Sequence, residues 1–380
     1  MISEISKSIP PFYVMEILEK AKQIEAGGEK VIHLEIGEPD HNTDSDICET
    51  AIQSIRSGET KYTHSQGIYE LRNEIANHYG IKYGVNISPD NIIVTSGSSP
   101  ALYLAFLSLL DPGDEIIITN PHYACYPQII RVAGGTPHYV GIYEEDDFQI
   151  DILKLKEHIT LKTKALLINS PCNPTGMMLQ PEVLKEISEL GIFVISDEIY
   201  HGLVYRQKEH SMLEYTERAI VINGFSKLYS MTGWRLGYII APDEFIRPIQ
   251  KLQQSLFISA NSFVQRAAIK ALNLGSDKIN DIVNLYKNRR LVMFNGLRQI
   301  GFDIKKMPDG AFYYFVNISK FNKNSLDLAF DILDKVHVAV TPGIDFGSGG
   351  EGYLRFSYAN SEENIKEGLK RLNHYINNFI

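Results

Sequence analysis

One lysine and one arginine stand eight residues apart in a stretch that carries no other charge, GFSKLYSMTGWRLGY (224–238). A lysine acts as a nucleophile only in its neutral form, so its surroundings must lower the pKa of its amine. The small neighbours Gly224 and Ser226 leave room for a bulky partner beside Lys227. Most lysines are simply exposed, and many arginines form structural ion pairs. A functional role for Lys227 and Arg235 therefore requires further signals elsewhere in the sequence.

Polar side chains follow two strands that the sequence predicts to be buried. FVISD (193–197) ends in Asp197, with Tyr200 three residues later, and ALLIN (165–169) runs into the segment that holds Asn173. Ligands of open α/β sheets bind at the carboxyl ends of the strands. Asp197 alone could be a helix N-cap. The lysine segment also follows a predicted strand, so Asp197, Tyr200 and Asn173 together with Lys227 favour one shared site.

A glycine-serine turn follows another predicted strand, NIIVT (91–95). Gly97, Ser98 and Ser99 precede a predicted helix that starts near Pro100, a residue that suits the first helical position. Free backbone amides at a helix start bind phosphate, although an ordinary helix cap shows the same pattern. The turn therefore adds a candidate phosphate site to the same edge of the sheet.

Together these residues match the functional groups of pyridoxal 5'-phosphate. A carboxylate at Asp197 would keep a heteroaromatic ring nitrogen protonated, and Tyr200 and Asn173 could both hydrogen-bond a ring hydroxyl. An arginine beside helix-start amides holds a phosphate dianion bidentately, which is the role expected of Arg235. The amine of Lys227 would form a Schiff base with the aldehyde.

A second arginine and a glycine-rich loop lie near the end of the chain. Arg355 stands among apolar residues in the predicted strand YLRFSYA (353–359), so its charge points to one face and requires a partner there. The loop GSGGEG (347–352) satisfies the spacing G-x-G-x-x-G. That pattern binds dinucleotides only between a strand and a helix, so we interpret this loop as a turn.

The chain resembles the class I/II aminotransferases, which are fold-type I pyridoxal phosphate enzymes related to aspartate aminotransferase. The matching segments follow the family's order over nearly the whole chain. They are HLEIGEPD (33–40), YTHSQGIYELR (62–72), TSGSSPAL (95–102), NPHYACYP (120–127), NSPCNPTG (169–176), SDEIY (196–200), SKLYSMTGWRLGY (226–238) and YLRFSYA (353–359). The combination of the lysine segment ending in TGWR with NPTG and D-x-x-Y is highly specific for this family.

The resemblance implies a role for each matched position. Lys227, Asp197 and Tyr200 are the implied catalytic residues: Lys227 carries the cofactor and moves protons, and Asp197 pairs with the ring nitrogen, which makes the ring an electron sink. Gly37, Asn173 and Arg355 face the substrate. The implied cofactor-binding residues are Ser98, Ser99, Tyr123, Asn173, Asp197, Tyr200, Ser226, Lys227, Arg235 and Tyr62. Because Tyr62 reaches the neighbouring subunit's phosphate in the family, a homodimer with shared active sites is also implied.

Two segments depart from the family pattern. Some members that act on acidic substrates carry a lysine in the phosphate turn, where this chain has Ser98, Ser99 and Pro100. HNTDSD (41–46) stands where many relatives have an apolar, proline-containing segment near the substrate entrance. We therefore leave the side chain of the amino donor open, and the recognition of a second carboxylate with it.

An α/β architecture must position these residues. Short apolar strands alternate with helices up to about residue 280, a pattern typical of a mainly parallel sheet covered on both faces, and the resemblance implies seven strands. Further predicted strands are DEIIIT (114–119), TPHYV (136–140) and AIVIN (219–223), and predicted helices lie at 12–26, 68–79 and 181–190. The sequence after about residue 280 indicates a smaller α+β domain. It contains a charged helix (281–299), the strands FYYFVNIS, VHVAV and YLRFSYA, and helices at 325–335 and 361–378.

These patterns suggest a division of the chain into three parts. We expect an N-terminal segment (1–36) that packs with the small domain, a large cofactor-binding domain (37–278) and a small C-terminal domain (279–380).

The composition argues against several other classes of protein. The 37 basic and 46 acidic residues give a formal net charge of −9, whereas nucleic-acid binding needs a basic surface. Three widely spaced cysteines without a CxxC pair form neither a disulfide framework nor a zinc motif. The apolar runs fit neither a signal peptide nor a membrane span. We expect a cytoplasmic enzyme with no metal, nucleic-acid or membrane partner.

The expected function is a pyridoxal phosphate-dependent aminotransferase of amino acid metabolism. It would move the amino group of an L-amino acid to a 2-oxo acid by a ping-pong mechanism, in a biosynthetic process. One alternative is a carbon–sulfur lyase that acts on cysteine conjugates through the same lysine and phosphate site. Another is a non-catalytic regulatory protein of the same fold, which usually carries an added nucleic-acid-binding segment; we find no pattern for one.

Overall fold

The computed structural model describes residues 1–321 and 323–379. Its helices are α1 (Glu4–Ser8), α2 (Tyr13–Ala26), α3 (Ser45–Arg56), α4 (Tyr69–Tyr83), α5 (Ser98–Leu109), α6 (Tyr126–Val132), α7 (Ile152–His158), α8 (Pro181–Glu189), α9 (Asp243–Leu256), α10 (Ser262–Leu272), α11 (Ser276–Gln299), α12 (Ser325–Val336) and α13 (Glu362–Phe379). Its strands are β1 (Ile32–His33), β2 (Ile92–Thr95), β3 (Glu115–Asn120), β4 (Thr136–Gly141), β5 (Thr163–Asn169), β6 (Phe193–Asp197), β7 (Ala219–Gly224), β8 (Gly237–Ile240), β9 (Tyr313–Asn317), β10 (Val338–Ala339), β11 (Thr341–Pro342) and β12 (Tyr353–Ser357).

The predicted, mainly parallel sheet is confirmed, and it has seven strands within the described residues. Their order is β2-β8-β7-β6-β5-β3-β4, and every neighbouring pair is parallel except the two pairs that contain β8. Because β8 runs antiparallel to both β2 and β7, β2 points the same way as β5, β6 and β7. The carboxyl ends of these four strands, each with a polar segment after it, therefore lie along one edge.

Alternate residues of the central strands pack against helices on opposite faces of the sheet. On β6, Ile195 joins the apolar cluster of α5, α6 and α9, whereas Val194 joins the cluster of α7 and α8. Both side chains are fully buried, as expected for parallel strands covered on two sides. This packing fixes the position of Asp197, the last residue of β6.

The sequence predicts no strand at β8, which is only four residues long and begins with a glycine. Short strands of this kind give too little periodicity to recognise. A Cβ atom at Gly237 would lie 2.7 Å from the carbonyl carbon of Gly97, so only glycine fits. This close approach brings the segment that contains Arg235 against the glycine-serine turn.

The smaller α+β part of the fold is also confirmed. Strands β11, β12 and β9 form an antiparallel sheet in that order, and α12 and α13 begin within a residue of their predicted starts. Helix α11 begins at Ser276, five residues earlier than predicted. Strand β1 pairs in parallel with β10, with Ile32 opposite Val338, and so ties the N-terminal segment to the C-terminal part of the chain.

The glycine-rich loop before β12 is a turn, as predicted. It contains a short 3-10 turn (Ser348–Gly350), and a strand follows it. Gly347 has a φ of +92°, and a Cβ atom there would lie 2.7 Å from side-chain atoms of both Asn120 and His122. The glycines therefore permit close packing of this loop against the segment after β3.

Helix α3 was not predicted, and it begins inside HNTDSD, the segment that departs from the family pattern. The carboxylate of Asp44 accepts a hydrogen bond from the amide of Asp46 and caps the helix. Across the described residues, the helices lack the combination of length and hydropathy that crossing a bilayer requires.

Candidate active site

Lys227 lies in the turn after β7, where its amine donates a hydrogen bond to the carbonyl of Gly37 at 2.8 Å. Burial, together with the positive charges of Arg355 and Arg235, lowers the pKa of Lys227 to about 8. The negative charges of Glu38 and Asp197 act in the opposite direction. The lysine therefore exists as both ammonium and neutral amine near physiological pH, as a nucleophile or proton carrier requires.

Asp197 is 4% exposed at the end of β6. One of its oxygens accepts a hydrogen bond from the phenol of Tyr126 at 2.7 Å, and the other accepts from the amide of Ile199 at 3.1 Å. Burial raises the pKa of Asp197 to about 6, and these two hydrogen bonds oppose that rise. The carboxylate is therefore mostly ionised at neutral pH in spite of its burial.

Arg355 is a buried cation that has no carboxylate partner among the described residues. Its Nη1 donates to the side-chain oxygen of Asn173 at 2.8 Å, and its Nη2 donates to the hydroxyl of Thr341 at 3.1 Å and to the carbonyl of Glu35. Its Nε is buried without a partner in the described part of the chain. A buried guanidinium with an unpaired N–H costs free energy unless a ligand accepts a hydrogen bond from it. Arg355 can therefore receive a carboxylate.

Aromatic side chains line the cleft between these charged groups. The hydroxyls of Tyr200 and Tyr313 lie 2.8 Å apart, and both residues are buried. The rings of Tyr123 and Tyr126 meet edge to face, with centroids 5.2 Å apart. These contacts fix the orientation of the phenols that face the lysine and the aspartate.

The glycine-serine turn caps α5, as predicted. Gly97 is the N-cap with a φ of +110°, and Ser98 and Ser99 occupy the first helical positions. A Cβ atom at Gly97 would lie 2.6 Å from Nη2 of Arg235, so the absent side chain leaves room for the guanidinium. A cation beside helix-start amides is an arrangement that can bind a phosphate.

One cleft of about 340 Å³ collects all of the predicted site residues except Tyr62. They are Gly37, Ser98, Ser99, Tyr123, Asn173, Asp197, Tyr200, Ser226, Lys227, Arg235 and Arg355. Tyr62 does not line this cleft, and its side chain is 82% exposed. A position on the surface is compatible with a contact to a neighbouring subunit, which stays a prediction.

Sequence reasoning missed two phenols of this cleft, Tyr126 and Tyr313. Tyr126 is the first residue of α6, three residues after Tyr123, and the rings of the two residues are in contact. Tyr313 is the first residue of β9 and directly follows Phe312. Neither spacing is distinctive in a chain with 21 tyrosines.

The residues of the cleft fit pyridoxal 5'-phosphate. Arg235 and the start of α5 supply a phosphate site, and Asp197 supplies a buried anion for a ring nitrogen. Lys227 supplies an amine with a lowered pKa. Within the described residues, no three histidine, cysteine, aspartate or glutamate side chains lie close enough to hold a metal ion.

Comparison with known proteins decides the family. The model of the family described as Aminotransferase class I and II matches residues 29–372. The chain belongs to this family. The predicted resemblance is therefore confirmed, and the chain is an aminotransferase.

Three relatives illustrate the similarity. The chain is 45% identical to the (5-formylfuran-3-yl)methyl phosphate transaminase of Methanocaldococcus jannaschii, over 99% of this chain and all of that protein. It is 38% identical to the aspartate aminotransferase of Thermotoga maritima, over 99% of this chain and all of that protein. A solved structure from Methanococcus jannaschii, 45% identical and described as similar in its active site to kynurenine aminotransferases, superposes with a TM-score of 0.92 over 99% of this chain and all of its own. These names do not favour the lyase alternative.

Proposed function

We propose that this aminotransferase binds pyridoxal 5'-phosphate through Lys227 and transfers the amino group of an L-amino acid to a 2-oxo acid in a ping-pong cycle. The observation that carries the proposal is the meeting of three groups in one cleft. These groups are a lysine of lowered pKa, a buried ionised aspartate and a buried arginine that no carboxylate within residues 1–321 and 323–379 pairs with.

Each end of the cofactor has residues that would hold it. Arg235, Ser98, Ser99 and Ser226 would bind the phosphate, Tyr123 would pack on the ring, and Asn173 and Tyr200 would face the ring hydroxyl. When bound, the cofactor supplies an electron sink for the substrate's α-carbon. Asp197 supports that chemistry because its negative charge keeps the ring nitrogen protonated.

Lys227 is the proposed proton carrier. Its pKa of about 8 lies close to working pH, where one group can accept a proton at one step and return it at the next. The hydrogen bond to the carbonyl of Gly37 holds the amine in place. The nearby charges of Arg355 and Arg235 favour the neutral, basic form.

Arg355 is the proposed site for the α-carboxylate of the substrate. Its guanidinium already donates to Asn173, and Arg355 lines the same cleft as Gly37 and Lys227, so the carboxylate would be held in the cleft with the lysine. Apolar side chains of Phe12, Val14 and Met15 line the same cleft and are available to the substrate side chain. The structure supports this general arrangement, and a substrate panel has to identify the donor.

The division of the chain and its assembly are parts of the same proposal. We place the N-terminal segment at 1–36, the large domain at 37–278 and the small domain at 279–380. A homodimer with shared active sites is supported by the exposed Tyr62 and by other exposed apolar residues, such as Leu256 and Ile258, which are 47% and 49% exposed. Three free cysteines are consistent with a cytoplasmic location.

The test uses purified protein loaded with pyridoxal 5'-phosphate. Borohydride reduction should fix the cofactor on Lys227, as peptide mass mapping would show, and Lys227→Ala should abolish both labelling and turnover. Lys251→Ala, which changes an exposed lysine on α9, is the matched control and should lose neither. Labelling at another lysine would overturn the assignment of Lys227.

A panel of donors and acceptors completes this test. Aspartate, alanine, phenylalanine and cystathionine would be combined with 2-oxoglutarate, oxaloacetate or pyruvate. At least one donor should change the cofactor's absorption spectrum by itself. A new amino acid should form from that donor only when an acceptor is also present. Pyruvate and ammonia released from cystathionine without an acceptor would instead support the lyase alternative.

A further inference from the structure

Tyr313 lines the cleft and contacts two residues with different proposed roles. These are Arg355, which would bind the substrate carboxylate, and Tyr200, which would face the cofactor. Tyr313 is the first residue of β9 and is 1% exposed. In the antiparallel register, Arg355 of β12 faces Phe315, so Tyr313 is its diagonal neighbour on the same face of the sheet. Diagonal neighbours of this kind are within reach of aromatic side chains.

The ring of Tyr313 supports Arg355. The guanidinium carbon lies 4.4 Å from the ring centroid of Tyr313 and 4.9 Å from that of Phe346. A cation over an aromatic face is stabilised, and more so when water is excluded. Since no carboxylate of the described residues pairs with Arg355, the two rings fix its orientation without neutralising it.

The hydroxyl of Tyr313 supports Tyr200. The two hydroxyl oxygens are 2.8 Å apart, and both side chains are buried. The same hydroxyl covers Gly37, where a Cβ atom would lie only 2.0 Å from it. Gly37 in turn accepts the hydrogen bond of Lys227, so one phenol contacts the surroundings of the lysine, of Tyr200 and of Arg355.

We propose that Tyr313 is a positioning residue with two separable functions. Its ring holds Arg355 in the orientation that receives the substrate carboxylate, and its hydroxyl donates to Tyr200 so that Tyr200 donates to the cofactor. A phenol that donates its only proton needs another donor for its own oxygen. Tyr313 is placed to be that donor, and this inference rests on the proposed cofactor and substrate sites.

Two substitutions separate these functions. Tyr313→Phe removes the hydroxyl and keeps the ring, so the dissociation constant of pyridoxal 5'-phosphate should rise about threefold to tenfold while KM for the amino donor changes less than about twofold. Tyr313→Leu removes both, so KM should also rise by about threefold to thirtyfold. The dissociation constant is measured by titrating cofactor-free protein, which needs no turnover.

A double-mutant cycle shows whether the hydroxyl acts through Tyr200. If it does, Tyr313→Phe should weaken cofactor binding in the native background and have almost no further effect in a Tyr200→Phe background. Tyr314→Phe is the matched control, because it removes the neighbouring buried phenol, which donates to the carbonyl of Arg290 at 3.0 Å. It should leave both constants unchanged.

Several outcomes would overturn the inference. Additive effects of Tyr313→Phe and Tyr200→Phe would show that the hydroxyl does not act through Tyr200, and equal KM values for the Phe and Leu variants would show that the ring does not support Arg355. Tyr313→Phe keeps the packed volume, so it tests the first function even if Tyr313→Leu fails to fold. If the native chain bound no cofactor, the proposed function itself would fail, which is a separate result.

Discussion

Removing the phenol of Tyr126 tests how this protein keeps a buried aspartate ionised. Tyr126→Phe deletes the 2.7 Å hydrogen bond to Asp197 and leaves the ring that packs on Tyr123. The amide of Ile199 still donates to the other oxygen of Asp197. The substitution therefore removes one of the two hydrogen bonds that favour the charged form and changes the packing very little.

The size of the effect follows from the energy of that hydrogen bond. Hydrogen bonds to charged groups contribute about 1.5–3 kcal/mol, and about 1.4 kcal/mol corresponds to one pKa unit, so the pKa of Asp197 should rise by about one unit or more. Burial already raises this pKa to about 6 in the native protein. In Tyr126→Phe the carboxyl should therefore be half protonated near neutral pH.

The assay measures the dissociation constant of pyridoxal 5'-phosphate for cofactor-free protein as a function of pH. A protonated ring nitrogen binds the ionised carboxylate, so affinity falls as pH drops through the pKa of Asp197, and it falls earlier in the variant. The ratio of the variant to the native constant cancels the titration of the free cofactor. For a one-unit shift this ratio is about tenfold near pH 5 and less than about twofold near pH 8.5.

A ratio that does not change with pH would refute the reasoning. It would show that Tyr126 matters only for packing, or that Asp197 does not titrate in this range. Tyr314→Phe again serves as the control, because it removes a buried phenol that hydrogen-bonds a carbonyl rather than Asp197. Its ratio should be close to one at both pH values.

Two further predictions concern the arginines and the dimer. Arg355→Ala should raise KM for the amino donor with little change in cofactor affinity, whereas Arg235→Ala should weaken cofactor binding by about tenfold or more because a charge-assisted hydrogen bond is lost; equal cofactor affinities in the two variants would contradict the assignment of Arg235 to the phosphate. Tyr62→Ala should also weaken cofactor binding, and hybrid dimers of Tyr62→Ala with Lys227→Ala subunits should regain one site of native affinity, because that site pairs an intact lysine with an intact Tyr62. Hybrids that bind no better than the parent Tyr62→Ala protein would rule out a shared site.

The charged groups and the central strands could be predicted because their signals are local. Strands such as β5, β6 and β7 are continuous apolar runs, and each is followed by a polar segment. Asp197 and Lys227 stand out because charges are rare beside such runs. The parallel sheet then brings them to one edge, so the sequence order alone indicates a common site.

Other elements depend on contacts that no short window contains. β8 is held between β2 and β7 by antiparallel pairing, and its first residue must be glycine because Gly97 lies against it. Helix α3 begins in a polar segment whose capping role appears only when Asp44 meets the amide of Asp46. In both places long-range or capping contacts, rather than a periodic pattern, decide the structure.

Tyr126 and Tyr313 were missed for a chemical reason. The cleft already holds three basic residues, Lys227, Arg235 and Arg355, and burying further charges to orient them would require costly desolvation. Neutral phenols hydrogen-bond Asp197 and Tyr200 and pack against Arg355 without adding charge. Because a buried tyrosine is an ordinary core residue, this supporting role is invisible in the sequence and becomes evident only from the distances between side chains.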